Sequence, residues 1–176
     1  MISIKRITDT ESKEYKMSEA LLTASFPTDE YRALEEQRKN VESNPAFHYN
    51  ILLADNTPIG LLSFWAFDGY IYIEHFATQP SLRNKGYGAM SIKQLKKEHP
   101  SIVLEVEIPT NDTTRRRIAF YQRCGLTLCE MDYMQPAYRS DSSELPMQLM
   151  SCGMDIANKF EKVKSDIYRK VYGKTV

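Results

Sequence analysis

A glycine-containing turn is the first stretch of the sequence whose residues could do chemistry. Residues 81–88, "SLRNKGYG", follow a predicted strand and open a predicted helix. The free N–H groups and partial positive charge of a helix start favour an anion, and glycines let the backbone approach a ligand closely. Arg83 and Lys85 add positive charge. We therefore expect a phosphate site, the alternative being a solvated helix start with two incidental glycines.

Three glutamates lie on two predicted central strands. Glu74 lies within residues 70–78, "YIYIEHFAT", whereas Glu105 and Glu107 lie within residues 101–108, "SIVLEVEI". A carboxylate among apolar strand residues is costly unless it is paired or used in function. Strand alternation places Glu105 and Glu107 together on one face. All three carboxylates are therefore candidate functional groups.

The same alternation makes a prediction for the neighbours of Glu74. It places Glu74 on the face of Tyr72 and Phe76. His75 then points to the opposite face, where we expect it to be a packed core histidine rather than a catalytic group.

Hydrophobic periodicity and turn residues predict the elements that must position these groups. Their order is strand, two helices, three antiparallel strands, helix, strand, helix, two strands and a last helix. The predicted strands cover residues 2–7, 47–54, 60–67, 70–78, 101–108, 126–134 and 145–152, and the predicted helices cover residues 10–25, 30–43, 84–99, 112–124 and 155–172. This pattern is typical of a mixed α/β domain.

Composition narrows the class of protein. The 176 residues are 42% apolar, which favours one globular domain. Lys plus Arg and Asp plus Glu both number 23, so we expect no general nucleic-acid binding. Three cysteines without a CxxC pair indicate reduced thiols, and we expect no metal site. The first residues lack the apolar core of a signal peptide and no run suits a membrane, so we expect a cytoplasmic protein.

Two short motifs, in this element order, resemble a known family. Residues 83–88, "RNKGYG", match the pattern [QR]-x-x-G-x-[GA], and residues 120–126, "FYQRCGL", match an apolar residue, Tyr, three residues, Gly and an apolar residue. Residues 47–134 thereby resemble the GNAT superfamily of N-acetyltransferases, and the strand order fits as far as Cys152.

The resemblance implies a fold and a domain organisation. The fold would be α/β, with a mixed, mostly antiparallel central sheet that contains a splayed strand pair and is flanked by helices. Residues 1–152 would form the GNAT acetyltransferase domain. Residues 153–176 would add a C-terminal helix, which either packs on the same domain or forms a homodimer contact.

The resemblance also implies acetyl-CoA as the acyl donor. The residues implied to bind the pyrophosphate through the turn are Arg83, Asn84, Lys85, Gly86, Tyr87, Gly88 and Ala89, and those implied to bind the pantetheine arm and thioester are Phe76, Ala77 and Thr78. Many relatives have Asn and Ala where this chain has Thr114 and Arg117, so Asn111 or an arginine is expected to replace that Asn contact. The three arginines at residues 115–117 either bind the 3′-phosphate of CoA or form a solvated helix face.

The implied reaction is direct attack of a primary amine, from an unidentified small molecule or peptide, on acetyl-CoA in a ternary complex. Making a lysine-like amine neutral at pH 7 costs roughly 4.6 kcal/mol. Glu74 is our first choice of base and Glu105 the second, with a water chain as the alternative. Tyr121 matches the position of the general acid in the family. A backbone N–H at a strand bulge, at or near Ala77, would meet charge on the thioester oxygen.

The sequence leaves the acceptor pocket and the presence of turnover open. Residues 25–32, "SFPTDEYR", resemble a loop that borders the acceptor pocket in similar enzymes, so Glu30 and Tyr31 could touch the amine or could simply begin a helix. The alternative function is a GNAT-fold module that binds CoA or another anion without turnover. A salt-bridged, inaccessible glutamate would favour that alternative.

Overall fold

The computed structural model describes residues 1–175, whose strands form one mixed sheet. The strands are β1 (Ile2–Ile7), β2 (Phe47–Ala54), β3 (Thr57–Phe67), β4 (Tyr70–Thr78), β5 (Ile102–Glu107), β6 (Thr127–Leu128), β7 (Tyr133–Gln135) and β8 (Leu145–Cys152). Their order is β1-β2-β3-β4-β5-β8-β6, and β7 also pairs with β8. The helices are α1 (Lys13–Ser25), α2 (Leu34–Ser43), α3 (Tyr87–Glu98), α4 (Asp112–Arg123) and α5 (Phe160–Val171).

The sheet opens between its two central strands. β4 and β5 are parallel, whereas the other neighbouring strands of the described chain are antiparallel. Pairing of β4 with β5 ends at Ile73 and Leu104, although β4 continues to Thr78 and β5 to Glu107. The predicted fold class, a mostly antiparallel sheet with a splayed strand pair, is therefore confirmed.

A β-bulge at Glu74 changes which side chains share a face. Ser63 pairs with His75 and Phe64 pairs with Ile73, so Glu74 is an extra residue in β4. Glu74 and His75 consequently lie on the same face, with 3.9 Å between Glu74 Oε2 and His75 Nδ1. The sequence prediction that His75 points away from Glu74 is wrong, because the bulge interrupts strict alternation.

Phe76 moves to the other face for the same reason. It packs with the cluster that contains Ile73, whereas Tyr72 belongs to the cluster on the opposite side of the sheet. The prediction that Glu74, Tyr72 and Phe76 share a face therefore holds for Tyr72 and fails for Phe76. The bulge thus leaves Glu74 on the face that alternation predicts and turns Phe76 towards α3 and α4.

Apolar clusters cover both faces of the sheet. On one face, Ile92 of α3 and Ile118 of α4 pack against β4 and β5. On the other face, Tyr15 of α1, Val41 of α2 and Ile167 of α5 pack against β2, β3 and β4. No helix among residues 1–175 has the length and apolar character needed to cross a bilayer.

The segment before α2 differs from the prediction. The sequence predicted a helix over residues 30–43, but Thr28–Glu30 is a single 3₁₀ turn and α2 begins at Leu34. Tyr31 is extended, and the next residue, Arg32, is 2% exposed. α2 begins later than predicted because the Arg32 side chain lies in the core, where it pairs with Glu74.

Two other predicted elements also differ. The strand predicted over residues 126–134 is divided into β6 and β7, which both pair with β8. Exposed charged residues, Glu130 and Asp132, lie between them. The last helix starts at Phe160 instead of residue 155, after a 3₁₀ turn at Ala157–Lys159.

We propose that α5 belongs to the same folding unit as residues 1–152. Its buried face contributes Phe160, Val163, Ile167 and Val171 to the cluster under the sheet. Burial of four apolar side chains stabilises by several kcal/mol. The last residue of the predicted C-terminal extension, residue 176, lies outside the described residues.

Shortening a buried side chain of α5 tests this integration. Ile167 is 0% exposed, so Ile167→Ala should lower the free energy of unfolding by about 2–5 kcal/mol. Urea denaturation followed by circular dichroism measures the change.

Glu161→Ala, on the exposed side of the same helix, is the matched control and should change stability by less than about 0.5 kcal/mol. Equal effects of the two substitutions would show that α5 is not part of the cooperative core.

Candidate active site

The separation of β4 and β5 forms a cleft of about 750 Å³. One end is lined by the last residues of β4 and the start of α3, and the other end by the loop after α1 and by β7 and β8. α4 lines it between these ends through Phe120 and Tyr121. The volume is in the range of small-molecule sites.

The predicted phosphate turn has backbone geometry that suits an anion. Gly86 immediately precedes α3 with φ +80°, and Asn84 has φ +62°. Apart from Gly86 and its two chain neighbours, no heavy atom of residues 1–175 lies within 4 Å of the position a Gly86 Cβ would take. The first helical hydrogen bond is donated by Met90 to the Gly86 carbonyl, so the N–H groups of residues 87–89 lack helical partners. The turn therefore offers open space in front of free N–H donors.

A second glycine allows α3 to pack closely on α4. A Cβ at Gly88 would lie 3.3 Å from Cζ of Phe120, and Phe120 stacks at 6.5 Å from the ring of Phe76. The helix start and the end of β4 are held together through this contact. The cleft wall between the phosphate turn and β4 is thereby defined.

Most of the residues predicted to bind the cofactor line this cleft. Those that do are Phe76, Ala77, Thr78, Arg83, Asn84, Gly86, Tyr87, Gly88 and Ala89. Lys85 and Asn111 lie outside its lining. Asn111 instead caps α4, because its Oδ1 accepts from the N–H of Thr114 at 3.0 Å and the Thr114 hydroxyl completes a capping box.

The three consecutive arginines have different environments. Arg115 pairs with Asp112 at 2.8 Å outside the cleft, and Arg117 pairs with Glu107 at its wall. Arg116 also lines the cleft, and no hydrogen-bond or ion-pair partner for it occurs among residues 1–175. Of the three, Arg116 is the one whose charge is left available to an anion.

Tyr121 extends from α4 to the cleft with a protonated hydroxyl. Its side chain is largely buried, and burial raises its pKa to about 12. No residue in the described chain hydrogen-bonds this hydroxyl. The predicted catalytic tyrosine is thus a hydrogen-bond donor without an internal acceptor.

Glu74 is saturated with donors from other side chains. Its Oε1 accepts from Arg32 and from the Tyr138 hydroxyl at 2.9 Å, and its Oε2 accepts from Arg32 Nη1 at 3.0 Å and from Trp65 Nε1 at 3.0 Å. These four bonds fill the acceptor positions of a carboxylate. Although burial pushes the pKa of Glu74 upwards, the Arg32 charge holds that pKa below its usual value. A carboxylate of this kind is a weak proton acceptor.

Arg32, which the sequence analysis did not identify, is the partner that Glu74 requires. Its guanidinium lies 5.5 Å from the ring of Phe47, 5.3 Å from Trp65 and 5.6 Å from Tyr138. Burial opposes its charge, but Glu74 keeps the pKa of Arg32 above its ordinary value. The sequence predicted that Glu74 is either paired or used in function, yet no spacing in it indicates that Arg32 is the partner.

Glu105 has a different environment although it also lies on a central strand. It accepts from Tyr133 at 2.5 Å, from Tyr172 at 2.9 Å and from the Gln135 amide. No cation pairs with it among the described residues. Burial raises its pKa, and the hydrogen bonds oppose that rise in part. Glu105 lines the cleft, and its pKa is raised whereas that of Glu74 is lowered, so Glu105 is the better proton acceptor.

The loop after α1 contributes to the far end of the cleft. Glu30 lines it, and burial, followed by the nearby Glu107 charge, raises the Glu30 pKa. The Glu30 carbonyl lies 2.9 Å from His75 Nε2, which fixes the loop to β4. Tyr31 is instead buried with Leu22 in a small apolar cluster. Of the two residues predicted at the acceptor pocket, Glu30 alone lines the cleft.

Removing the negative charge of Glu74 should destabilise the fold. Glu74→Gln leaves the Arg32 guanidinium buried without its counter-ion, which typically costs about 3–5 kcal/mol. Chemical denaturation at pH 7 measures the loss.

Glu36→Gln is the matched control, because Glu36 also faces Arg32, at 4.0 Å from Nε, but its side chain is 61% exposed. An exposed pair contributes about 0–1 kcal/mol. A Glu74→Gln protein as stable as the Glu36→Gln protein would refute the assignment of Glu74 as an essential counter-ion.

Comparison with known proteins agrees with this geometry. The chain is similar to a solved structure described as a candidate GNAT-family acetyltransferase from Bacteroides thetaiotaomicron. That chain is 43% identical, with 98% of this chain and 99% of that chain covered and a TM-score of 0.95. A Bacillus subtilis acetyltransferase solved in complex with CoA is 13% identical over 88% of this chain and 100% of that one, with a TM-score of 0.58, which shows the fold alone.

A curated relative and a family model each match more than half of the chain. YjbC of Bacillus subtilis (strain 168), named as a candidate acetyltransferase, is 32% identical over 104 residues, which are 58% of this chain and 52% of that protein. The match thus spans about half the length of that relative. Residues 6–126 match the model of the Acetyltransferase (GNAT) family. The chain belongs to the GNAT acetyltransferase family.

Proposed function

We propose that this protein is an N-acetyltransferase that moves an acetyl group from acetyl-CoA to a primary amine of a small molecule or peptide within a ternary complex. One observation carries the proposal. The start of α3, the Tyr121 hydroxyl and the Glu105 carboxylate all face the cleft where β4 and β5 separate. The proposed phosphate-binding turn, the proposed general acid and the proposed general base therefore line the same cleft.

The residues at one end of the cleft fit the phosphates of CoA. The free N–H groups after Gly86 would bind the pyrophosphate, and Arg83 and Arg116 would add charge. Residues 76–78 at the end of β4 would bind the pantetheine arm, because their partner strand has moved away. When bound, acetyl-CoA supplies an acetyl group activated as a thioester.

Glu105 is the base that the geometry supports best. A raised pKa makes a carboxylate a better proton acceptor, and Glu105 has this property whereas Glu74 does not. Its proposed role is to take one proton from the ammonium form of the acceptor, directly or through water, and pass that proton to solvent.

Tyr121 would act on the sulfur side of the reaction. Its hydroxyl donates a hydrogen bond or its proton to the departing thiolate, and the second proton lost by the amine nitrogen restores the tyrosine. The net change converts one ammonium ion and one thioester to one amide, one thiol and one released proton. A tyrosine that remains protonated at neutral pH can serve as this donor.

A second candidate, a CoA-binding module without turnover, has one observation in its favour. Glu74, the first glutamate that the sequence indicated as a base, is salt-bridged and its side chain is 0% exposed. Glu105 supplies the alternative base, so we favour the enzyme. The two candidates differ in whether any amine is acetylated by a protein that binds acetyl-CoA.

The phosphate site can be tested by substitution at Gly86. Gly86→Glu places a side chain and a negative charge in front of the free N–H groups, so acetyl-CoA affinity should fall at least tenfold. Isothermal titration calorimetry measures the affinity of both proteins.

Gly69→Glu is a matched control, because Gly69 also has a positive φ, +84°, with no heavy atom within 4 Å of its Cβ position. It lies in the turn between β3 and β4 and should retain the wild-type affinity. Absence of acetyl-CoA binding by the wild type would refute the proposed function.

Tyr121→Phe tests the chemical step. The substitution removes the hydroxyl but keeps the ring, so kcat should fall by about 100-fold while acetyl-CoA affinity is retained. Thiol release is measured in the presence of a panel of primary amines. An unchanged kcat would exclude Tyr121 as the donor, and binding without acetylation of any amine would favour the module.

A further inference from the structure

The C-terminal part of the chain supplies the hydrogen bonds to Glu105. Its Oε1 accepts from the Tyr133 hydroxyl, and its Oε2 accepts from the Gln135 amide and the Tyr172 hydroxyl. Tyr133 and Gln135 lie on β7, and Tyr172 is the residue that follows α5. All three lie beyond residue 126, where the match to the family model ends.

Tyr172 is itself held in place from several sides. The preceding carbonyl, of Val171, accepts from Arg32 Nη2 at 3.4 Å. The Tyr172 ring lies 4.8 Å from that of Tyr138, and its hydroxyl lies 3.4 Å from the hydroxyl of Tyr72. The end of α5 is therefore fixed against the Arg32–Glu74 pair and directs its tyrosine at Glu105.

The surroundings of Glu105 contain donors without positive charge. Among residues 1–175, the titratable groups around it are phenols with pKa values raised first by burial, and they come from β4, β7, the loop after β7, α5 and the residue after α5: Tyr72, Tyr133, Tyr138, Tyr168 and Tyr172. Each remains neutral at neutral pH. Hydrogen bonding is therefore the means available to favour the ionised carboxylate.

Two other carboxylates on the central strands, Glu74 and Glu107, are paired with arginines. Glu74, which lies close to Tyr72 and Tyr138, is paired with Arg32. Glu107, on the same strand as Glu105, is paired with Arg117. A change in one phenol therefore alters the hydrogen bonding of Glu105 without removing a charge from its surroundings.

We propose that Tyr172, with Tyr133 and Gln135, is a positioning residue that holds Glu105 ionised and directed at the amine, so that the C-terminal helix sets the pH range in which acetyl transfer occurs. This inference rests on the proposed function, in which Glu105 is the base. It gives α5 a role beyond packing, because the last turn of the helix completes the site.

The test is the pH dependence of kcat/KM for an acetylated amine, in the wild type and in Tyr172→Phe. Activity rises with pH as Glu105 loses its proton. This rise is the acidic limb of the pH profile. Removing a donor to the carboxylate should move the limb to higher pH by about one unit. At a pH well below the limb, activity should fall about tenfold, and it should recover on the alkaline plateau. A purely structural defect would lower activity at every pH.

Tyr168→Phe is the matched control. Tyr168 lies one turn earlier in α5, and its hydroxyl donates to the carbonyl of Met134 instead of to Glu105. The same atom is removed from the same helix, so the acidic limb should stay in place. If Tyr172→Phe does not fold, Gln135→Leu removes a different donor to the same carboxylate and should move the limb in the same direction.

A second readout does not require turnover. Carbon-13 NMR titration of labelled glutamate carboxyls, with Glu105 assigned through Glu105→Gln, gives the Glu105 pKa directly. A Glu105 pKa that rises in Tyr172→Phe supports the inference. If the Glu105 pKa and the acidic limb of the pH profile both stay unchanged, the inference is overturned, even when acetylation is normal. A pKa that rises in a protein that acetylates no amine supports the hold on Glu105 but refutes the proposed function.

Discussion

The buried pair of Arg32 and Glu74 is the interaction on which the site depends. Two charges removed from water are tolerated here because every acceptor position of the carboxylate is filled and aromatic rings surround the guanidinium. The pair joins the segment before α2 to β4. Through the Val171 carbonyl and the Tyr138 hydroxyl it also joins the end of α5 and the loop after β7.

The bulge at Glu74 connects this pair to the cleft. One extra residue places His75 on the face of Glu74 and turns Phe76 to the other face, at the point where β4 leaves β5. The end of β4 is then free to meet a ligand, and Glu105 on β5 faces the space that opens. The two central strands thus carry one carboxylate that is paired in the core, Glu74, and one that lines the cleft without a cationic partner among the described residues, Glu105.

Local patterns predicted a large part of this arrangement. Strands β2, β4 and β8 have the predicted bounds, because runs rich in apolar residues between turn or loop residues define them. The turn at Gly86 and the tyrosine at position 121 were identified from short motifs, and both line the cleft. The family resemblance implied a bulge at or near Ala77, but the bulge lies at Glu74, and nothing in "YIYIEHFAT" marks which residue is extra. The delayed start of α2 depends on Arg32 meeting a carboxylate 42 residues away, and sequence proximity cannot indicate such a contact. The tyrosines around Glu105 were missed for the same reason.

The indole of Trp65 gives the molecule an internal optical probe. It is the one tryptophan in the sequence, it is buried, and its N–H donates to the carboxylate of Glu74. The long-wavelength emission of the protein therefore originates beside the ion pair and a short distance from the cleft. A fluorescence spectrum of this protein therefore reports on the surroundings of the Arg32–Glu74 pair.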